Sequence, residues 1–309
     1  MSSEKNIDLV AVGHALVDIR LVVSEFPQPD QEADVKKQTW GAGGSAVNVS
    51  IAGRRLGLKT SVIAKIGFDN FGRLIVDELL RENVDISGLR IGLLPTGVTI
   101  VVIDSRGNII MYGYKGVAED LAPNEVSEYV ISKSKWVHVA SLNLETTTRV
   151  LDIAEKHGVA TSWDPGRLLS KRPWSELERV IKRVRAVLAN EQEYQNMTGV
   201  SDYKQAASKV LEAGAEIAVV KRGEKGAYLK TRDVEEEVPA FSVREVVDTT
   251  GAGDAFAAGF IAGLLRGYSL RKALSYANAV AALKITRLGS HEAPSHEEVV
   301  DFIWEKGIV

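Results

Sequence analysis

The 309-residue chain has no cysteine, three methionines and eight prolines, and only 6% of it is aromatic. Without cysteine there are no disulfides, no thiolate metal ligands and no cysteine nucleophile. Charge of one sign is also scarce. A formal net charge of −3 and an isoelectric point near 6.0 leave no basic field for nucleic acid. No apolar run approaches the roughly 18 residues of a membrane-spanning helix, and residues 1–8 do not read as a leader. The expected location is cytoplasmic. The five histidines (His14, His138, His157, His291 and His296) lack ligand-like spacing, so no histidine-built metal site is expected.

Glycine is plentiful, with 27 residues, beside 45% hydrophobic and 26% charged content. This length suits one large α/β domain with a small appendage, or two domains. Residues 7–13, 61–66, 136–140, 160–163, 186–188 and 217–221 read as buried strands. Helical spacing covers 45–56, 71–81, 146–157, a helix-rich stretch from 255 to 286, and 296–304. The alternation predicts a doubly wound, mainly parallel sheet flanked by helices. Residues 15–40 and 96–115 instead show β-type alternation, with a hairpin around Ser105-Arg106-Gly107-Asn108. They predict a small β-sheet lid. The large domain then comprises 1–14, 41–95 and 116–309.

The segment from Asp248 through Thr249, Thr250, Gly251, Ala252, Gly253 and Asp254 to Phe256 carries the most chemistry. Gly251 and Gly253 permit a tight turn that brings bare amides to an anion, and the helix that follows adds the positive end of its dipole. A carboxylate beside such a hole is useful when it takes a proton from an incoming nucleophile, so Asp254 is the candidate base. Local sequence alone also fits a capped strand-to-helix turn.

A second glycine segment, Gly41-Ala42-Gly43-Gly44-Ser45, opens another helix, with Asn48 one turn in. With Asp18 after the first strand it describes a hydroxyl-binding pocket. Asn190 and Glu193 share a helix face and suit Mg²⁺ near phosphates; they equally describe a capping box. Lys221-Arg222-Gly223-Glu224-Lys225-Gly226 ends a strand with cations and glycines. It could form a wall of a nucleotide site or a solvated turn.

Taken together, the two glycine segments resemble the signatures of the PfkB, or ribokinase-like, family of carbohydrate and nucleoside kinases. The first runs from Gly43 to Asn48 and on to Gly67-Phe68-Asp69-Asn70-Phe71-Gly72; the second runs from Asp248 to Phe260. The resemblance covers essentially the full length. It implies an ATP-dependent phosphotransferase with Mg²⁺, and a lid that pairs in a homodimer. It makes Asp254 the base and Gly251, Ala252 and Gly253 the anion hole. Asp18, Gly43, Gly44 and Asn48 fall at sugar-binding positions, joined by Glu145, Asp164 and Arg167. Asn190, Lys221, Gly223, Gly226, Thr250, Gly251, Gly253 and Asn278 fall around the nucleotide, and Glu193 with Asn190 beside the metal. The loops after 245 and 285 are where a monovalent cation would sit.

Ser45 stands where ribokinases usually carry lysine. Trp163-Asp164-Pro165-Gly166-Arg167 is similar to a stretch of fructose and ketodeoxygluconate kinases and, in its D-P-G, to archaeal nucleoside kinases. The expected acceptor is therefore the primary hydroxyl of a ribose-, fructose- or ketodeoxygluconate-like sugar. A nucleoside, stacked on Phe26, Trp40, Tyr112 or Tyr114, is the alternative. A non-catalytic sugar-binding relative is the remote one.

Overall fold

The computed structural model describes residues 5–106 and 108–307. Residues 1–4 and Gly107, where part of the expected leader-free start and of the hairpin turn fall, lie outside the described residues. Among the described residues, no helix is long and apolar enough to cross a membrane.

Eight strands form the main sheet, in the order Glu235–Val238, Ala227–Lys230, Ile217–Lys221, Ala186–Asn190, Ala160–Asp164, Ser134–Ala140, Ile7–Gly13 and Thr60–Ile63. From Ile217–Lys221 to Thr60–Ile63 all neighbours are parallel; the other two strands extend the edge antiparallel. Strands buried on both faces need apolar residues at every position, which is why Leu9, Val10, Ala11 and Val12 follow one another without a polar break. Leu9 and Ala11 enter the core beneath the helices Ser45–Arg55, Ala252–Leu265 and Leu270–Lys284. Val10 and Val12 enter the opposite core with Leu144–Lys156, Trp174–Ile181 and Tyr203–Glu212. Each fully buried Val or Leu contributes about 1.5–3 kcal/mol. This is the doubly wound arrangement expected.

Residues 61–66 do not form one strand. The chain leaves the main sheet at Ala64, whose carbonyl accepts from the Arg90 amide at 2.9 Å. Lys65–Gly67 then pairs with Arg90–Gly92 in a separate two-stranded sheet.

The two non-helical regions build a separate four-stranded sheet in the order Val35–Gly43, Leu16–Val23, Gly97–Ile103, Ile109–Tyr114. Its first strand continues past residue 40 into the glycine segment. Cross-strand register aligns Trp40, Ile19, Ile100 and Tyr112 on one face, with Trp40 and Tyr112 each 61% exposed. Asp18, adjacent to Ile19, necessarily faces the other way.

The helix Ala252–Leu265 is buried on nearly every side and packs by small residues. A Cβ on Gly259 would lie 3.0 Å from Val280 Cγ2 and 3.1 Å from Ala277 Cα. Backbone contact this close fixes where the first turn of the helix points. Gly259→Val should therefore lower stability by about 1–3 kcal/mol through overpacking, read as a fall of several degrees in melting temperature.

Candidate active site

The glycine turn is shaped by its neighbours. Gly251 has φ 78°, and a Cβ there would fall 1.9 Å from the Ser290 carbonyl oxygen. No other residue fits. Asp248 Oδ1 accepts the Thr250 amide at 2.9 Å, tightening the approach to the helix. The Ala252 N–H donates to the Thr249 carbonyl at 3.2 Å. Of the three amides expected to form an anion hole, that of Ala252 is thus engaged within the turn. Among the described residues, no hydrogen-bond partner stands against the amides of Gly251, Gly253 and Asp254, and those of Gly251 and Gly253 flank the turn where an anion would sit.

Asp254 stands in the first helical turn, where it accepts a 2.8 Å hydrogen bond from Asn48 Nδ2. This bond joins the two glycine segments across the molecule. Burial pushes the Asp254 carboxyl up to about 7; the Asn48 amide and Lys221 oppose the rise, and Asp164 and Asp18 add to it. Asn48 Oδ1 is buried and has no partner, so an acceptor faces the site ready for a ligand hydroxyl. Asp18 is 4% exposed and packs where a Gly43 side chain would be: a Cβ on Gly43 would lie 2.3 Å from Asp18 Oδ2. Gly44, at φ 89°, passes equally close to the His14 carbonyl. Asp18, Gly43, Gly44, Asn48 and Asp254 thus meet in one place.

A second group of charges closes the other side. Lys221 Nζ, at the carboxyl end of its strand, contacts Asp164 Oδ2 at 2.6 Å, while Asp164 Oδ1 accepts the Gly166 amide at 2.9 Å. Asp164 is thus turned to the lysine. The same ammonium reaches the glycine turn, since a Cβ on Gly253 would be 3.2 Å from it. Burial alone would lower the Lys221 pKa; Asp164, Glu193 and Asp254 carry it above the usual lysine value instead.

Asn190 and Glu193 form the capping box, Asn190 Oδ1 accepting the Glu193 amide at 2.8 Å and Glu193 Oε2 the Asn190 amide at 2.9 Å. Burial and the nearby Asp164 raise the Glu193 pKa, and Arg167 is felt there as a modest counterweight. That excess of negative charge suits a Mg²⁺ arriving with phosphates. No cluster of three histidine or acidic ligands exists among the described residues. One carboxylate, waters and phosphate oxygens fit the way Mg²⁺ is commonly held.

Beyond Lys221 and Gly253 opens a cavity of about 590 Å³. Gly223, Gly226 and Asn278 line it, together with Thr249; Thr250 does not. Asn278 Nδ2 donates to the Val238 and Pro239 carbonyls, both at 3.1 Å, and so fixes one wall. The apolar lining of Phe241, Val243, Val246 and Ile285 is absent from the sequence expectation. Phe241, Val243 and Val246 are apolar residues interspersed with Ser242, Arg244 and Glu245 in the loop before Asp248, and Ile285 follows the helix Leu270–Lys284. Glu145 is exposed and lies in a separate recess with Glu176 and Arg179. Trp40, Tyr112 and Tyr114 share the sheet face opposite Asp18, so within one chain they cannot stack on a base held by that aspartate.

Comparison with known proteins gives one consistent picture. Residues 6–297 match the pfkB family carbohydrate kinase family. An ATP-dependent ribose-1-phosphate kinase of Halopiger xanaduensis is 34% identical over 96% of this chain and 98% of its own. A nucleoside kinase of Methanothermobacter thermautotrophicus is 32% identical, covering 92% and 91%. Among solved structures, Arabidopsis thaliana ribokinase complexed with ribose and ATP superposes with a TM-score of 0.86 at 26% identity, covering 96% and 98%. A putative ribokinase II of E. coli in complex with ATP and Mg²⁺ gives 0.85 at 26%, covering 97% and 99%.

With its pKa pushed up to about 7 by burial, the Asp254 carboxyl should titrate near neutral pH in carboxyl ¹³C NMR. Asn48→Ala removes the hydrogen bond that favours the ionised form and should move that midpoint to higher pH. A midpoint near 4 in the wild type would show that the side chain is not buried in this way.

Proposed function

Since the chain belongs to the PfkB family of carbohydrate kinases, an ATP-dependent group acting on sugar or nucleoside hydroxyls, we propose that it phosphorylates the primary hydroxyl of a small sugar, with Asp254 as general base. The observation that carries this reading is the convergence of Asp254, the acceptor-facing Asn48 and the free Gly251 and Gly253 amides on one point.

Asp18 and the partnerless Asn48 Oδ1 accept hydrogen bonds from adjacent sugar hydroxyls and aim the primary hydroxyl at Asp254. The hydroxyl proton passes to the Asp254 carboxylate as its oxygen bonds to the γ-phosphorus. The bond from that phosphorus to the β,γ-bridging oxygen breaks, and ADP leaves with the electron pair. The Gly251 and Gly253 amides and the Lys221 ammonium stabilise charge on the moving phosphoryl group, which supplies most of the acceleration in such transfers. Mg²⁺, held through Glu193 beside Asn190, would supply further neutralisation of the phosphates. The adenine side of ATP enters the cavity lined by Phe241 and Asn278.

We take the acceptor to be ribosyl in the first instance, in keeping with the Halopiger relative's name, with fructose- and ketodeoxygluconate-like sugars next. The nucleoside reading rests on the Methanothermobacter relative. The second sheet serves as the lid that excludes water, and its outward row of Trp40, Ile19, Ile100 and Tyr112 pairs with a second copy of the chain. An ADP-release assay over ribose, ribose 1-phosphate, fructose, 2-keto-3-deoxygluconate, adenosine, inosine and cytidine tests the assignment. Turnover confined to the nucleosides would displace the sugar reading.

Asp254→Asn should cut kcat by roughly 10²–10⁴-fold with little change in ATP affinity, measured by steady-state kinetics and calorimetry. Only the ionised carboxylate accepts a proton, so kcat/KM should fall as pH drops below about 7. Tyr112→Lys should convert the dimer to a monomer in light scattering, by placing a charge in the apolar row.

A further inference from the structure

Lys284 ends the helix Leu270–Lys284 and is 0% exposed, although nothing in the transfer of a phosphoryl group calls on it. Its ammonium donates to the Asp248 carbonyl at 2.7 Å and lies 3.9 Å from Asp248 Oδ2. Asp248 is the residue that opens the glycine turn. Its Oδ1 holds the Thr250 amide and its Oδ2 accepts from the Gly289 amide at 3.1 Å. The amides of Val247 and Asp248 both donate to the Ile285 carbonyl, at 2.8 and 3.1 Å. Arg20 Nε stands 3.1 Å from Asp248 Oδ2, and the Ser290 carbonyl backs Gly251. The two loops are laced together at Asp248, and the lysine ammonium sits at the knot.

An oxygen-rich junction of this kind would suit a weakly hydrated monovalent cation, the group that the sequence resemblance leads one to expect between these loops. The residues present do not fit it. The position against the Asp248 carbonyl and carboxylate already holds a unit positive charge on a covalent tether, with the Arg20 guanidinium on the other side. A further cation would meet two like charges at close range in a dry setting. Burial pushes the Lys284 pKa down to about 8, with Asp248, Asp254 and Glu292 opposing and Arg20 adding to the fall. At neutral pH the group is still an ammonium.

We propose that Lys284 is a built-in substitute for a monovalent activator: it pins the Asp248 carbonyl, sets the Gly251 and Gly253 amides, and makes turnover independent of potassium. Lys284 is a positioning residue, acting through Asp248. The inference rests on the kinase reading, because it concerns the loop that would hold the phosphoryl group.

The test uses the full-length protein. Wild-type activity in buffers whose only cation is tetramethylammonium should match that with about 100 mM K⁺ or Na⁺ to within about twofold, and K⁺ should leave its melting temperature unchanged. Lys284→Met keeps the stem and removes the charge. It should lose at least about tenfold in kcat without K⁺, recover most of that loss with K⁺ or NH₄⁺, and gain melting temperature from K⁺ as a ligand of the folded state. Recovery by a small cation is a response that a purely space-filling lysine would not give. Wild-type activation by K⁺ of about tenfold or more overturns the proposal. So does a folded Lys284→Met that is fully active without K⁺, or one inactive in every cation. Should the variant not fold, the wild-type comparison decides by itself. An absence of transfer to every acceptor in every salt would count against the kinase reading instead. In that event the wild-type melting temperature decides for Lys284, a rise with K⁺ overturning the proposal and no rise supporting it.

Discussion

The site depends on one hydrogen bond, from Asn48 Nδ2 to Asp254 Oδ2. A carboxylate needed as a base must remain within reach of an acceptor yet not fill the anion hole itself. The amide of Asn48 ties one Asp254 oxygen to the helix that follows the first glycine segment. It also offsets part of the burial that raises the carboxyl's affinity for protons. Without that bond, burial and the neighbouring Asp164 and Asp18 charges would act unopposed except by Lys221. A single amide therefore sets both the direction and the basicity of the group.

The charge arrangement around this bond explains the remaining polar residues. Asp164, Glu193 and Asp254 surround Lys221, and the lysine is held in its charged form by all three. Three carboxyl groups stand against one ammonium, an arrangement that suits a cation delivered with a substrate. The arrangement is ordered by backbone rather than by side-chain packing. Asp164, Asn190 and Lys221 each end a parallel strand, and Asp254 begins a helix whose glycines seat it tightly against its neighbour.

The fold was largely legible because its signals are local. Strands 7–13 and 217–221 are continuous apolar runs, and a strand buried on both faces admits little else. The split at Ala64 was not, since it is imposed by pairing with Arg90, a partner distant in sequence. Within the site, Asp254, Asn48 and Gly43 were legible from glycine spacing. The Asn190 and Glu193 pair carried two meanings, and the structure uses it as a cap while leaving it beside the charge cluster. Glu145 lies elsewhere because helix phase, rather than residue type, decides where its side chain goes. Lys284 was hidden for the converse reason. A lysine at the end of a helix ordinarily faces water, and only the opposing loop explains its burial.

The second sheet carries Asp18 and Arg20 on one strand, two residues apart on one face. In the proposed function Asp18 addresses the acceptor, while Arg20 grips Asp248 at the root of the glycine turn. A rocking motion of that sheet would pull on both together. The half proposed to recognise the alcohol and the half proposed to cradle the triphosphate are thus geared to one lever, so that loosening either slackens the other.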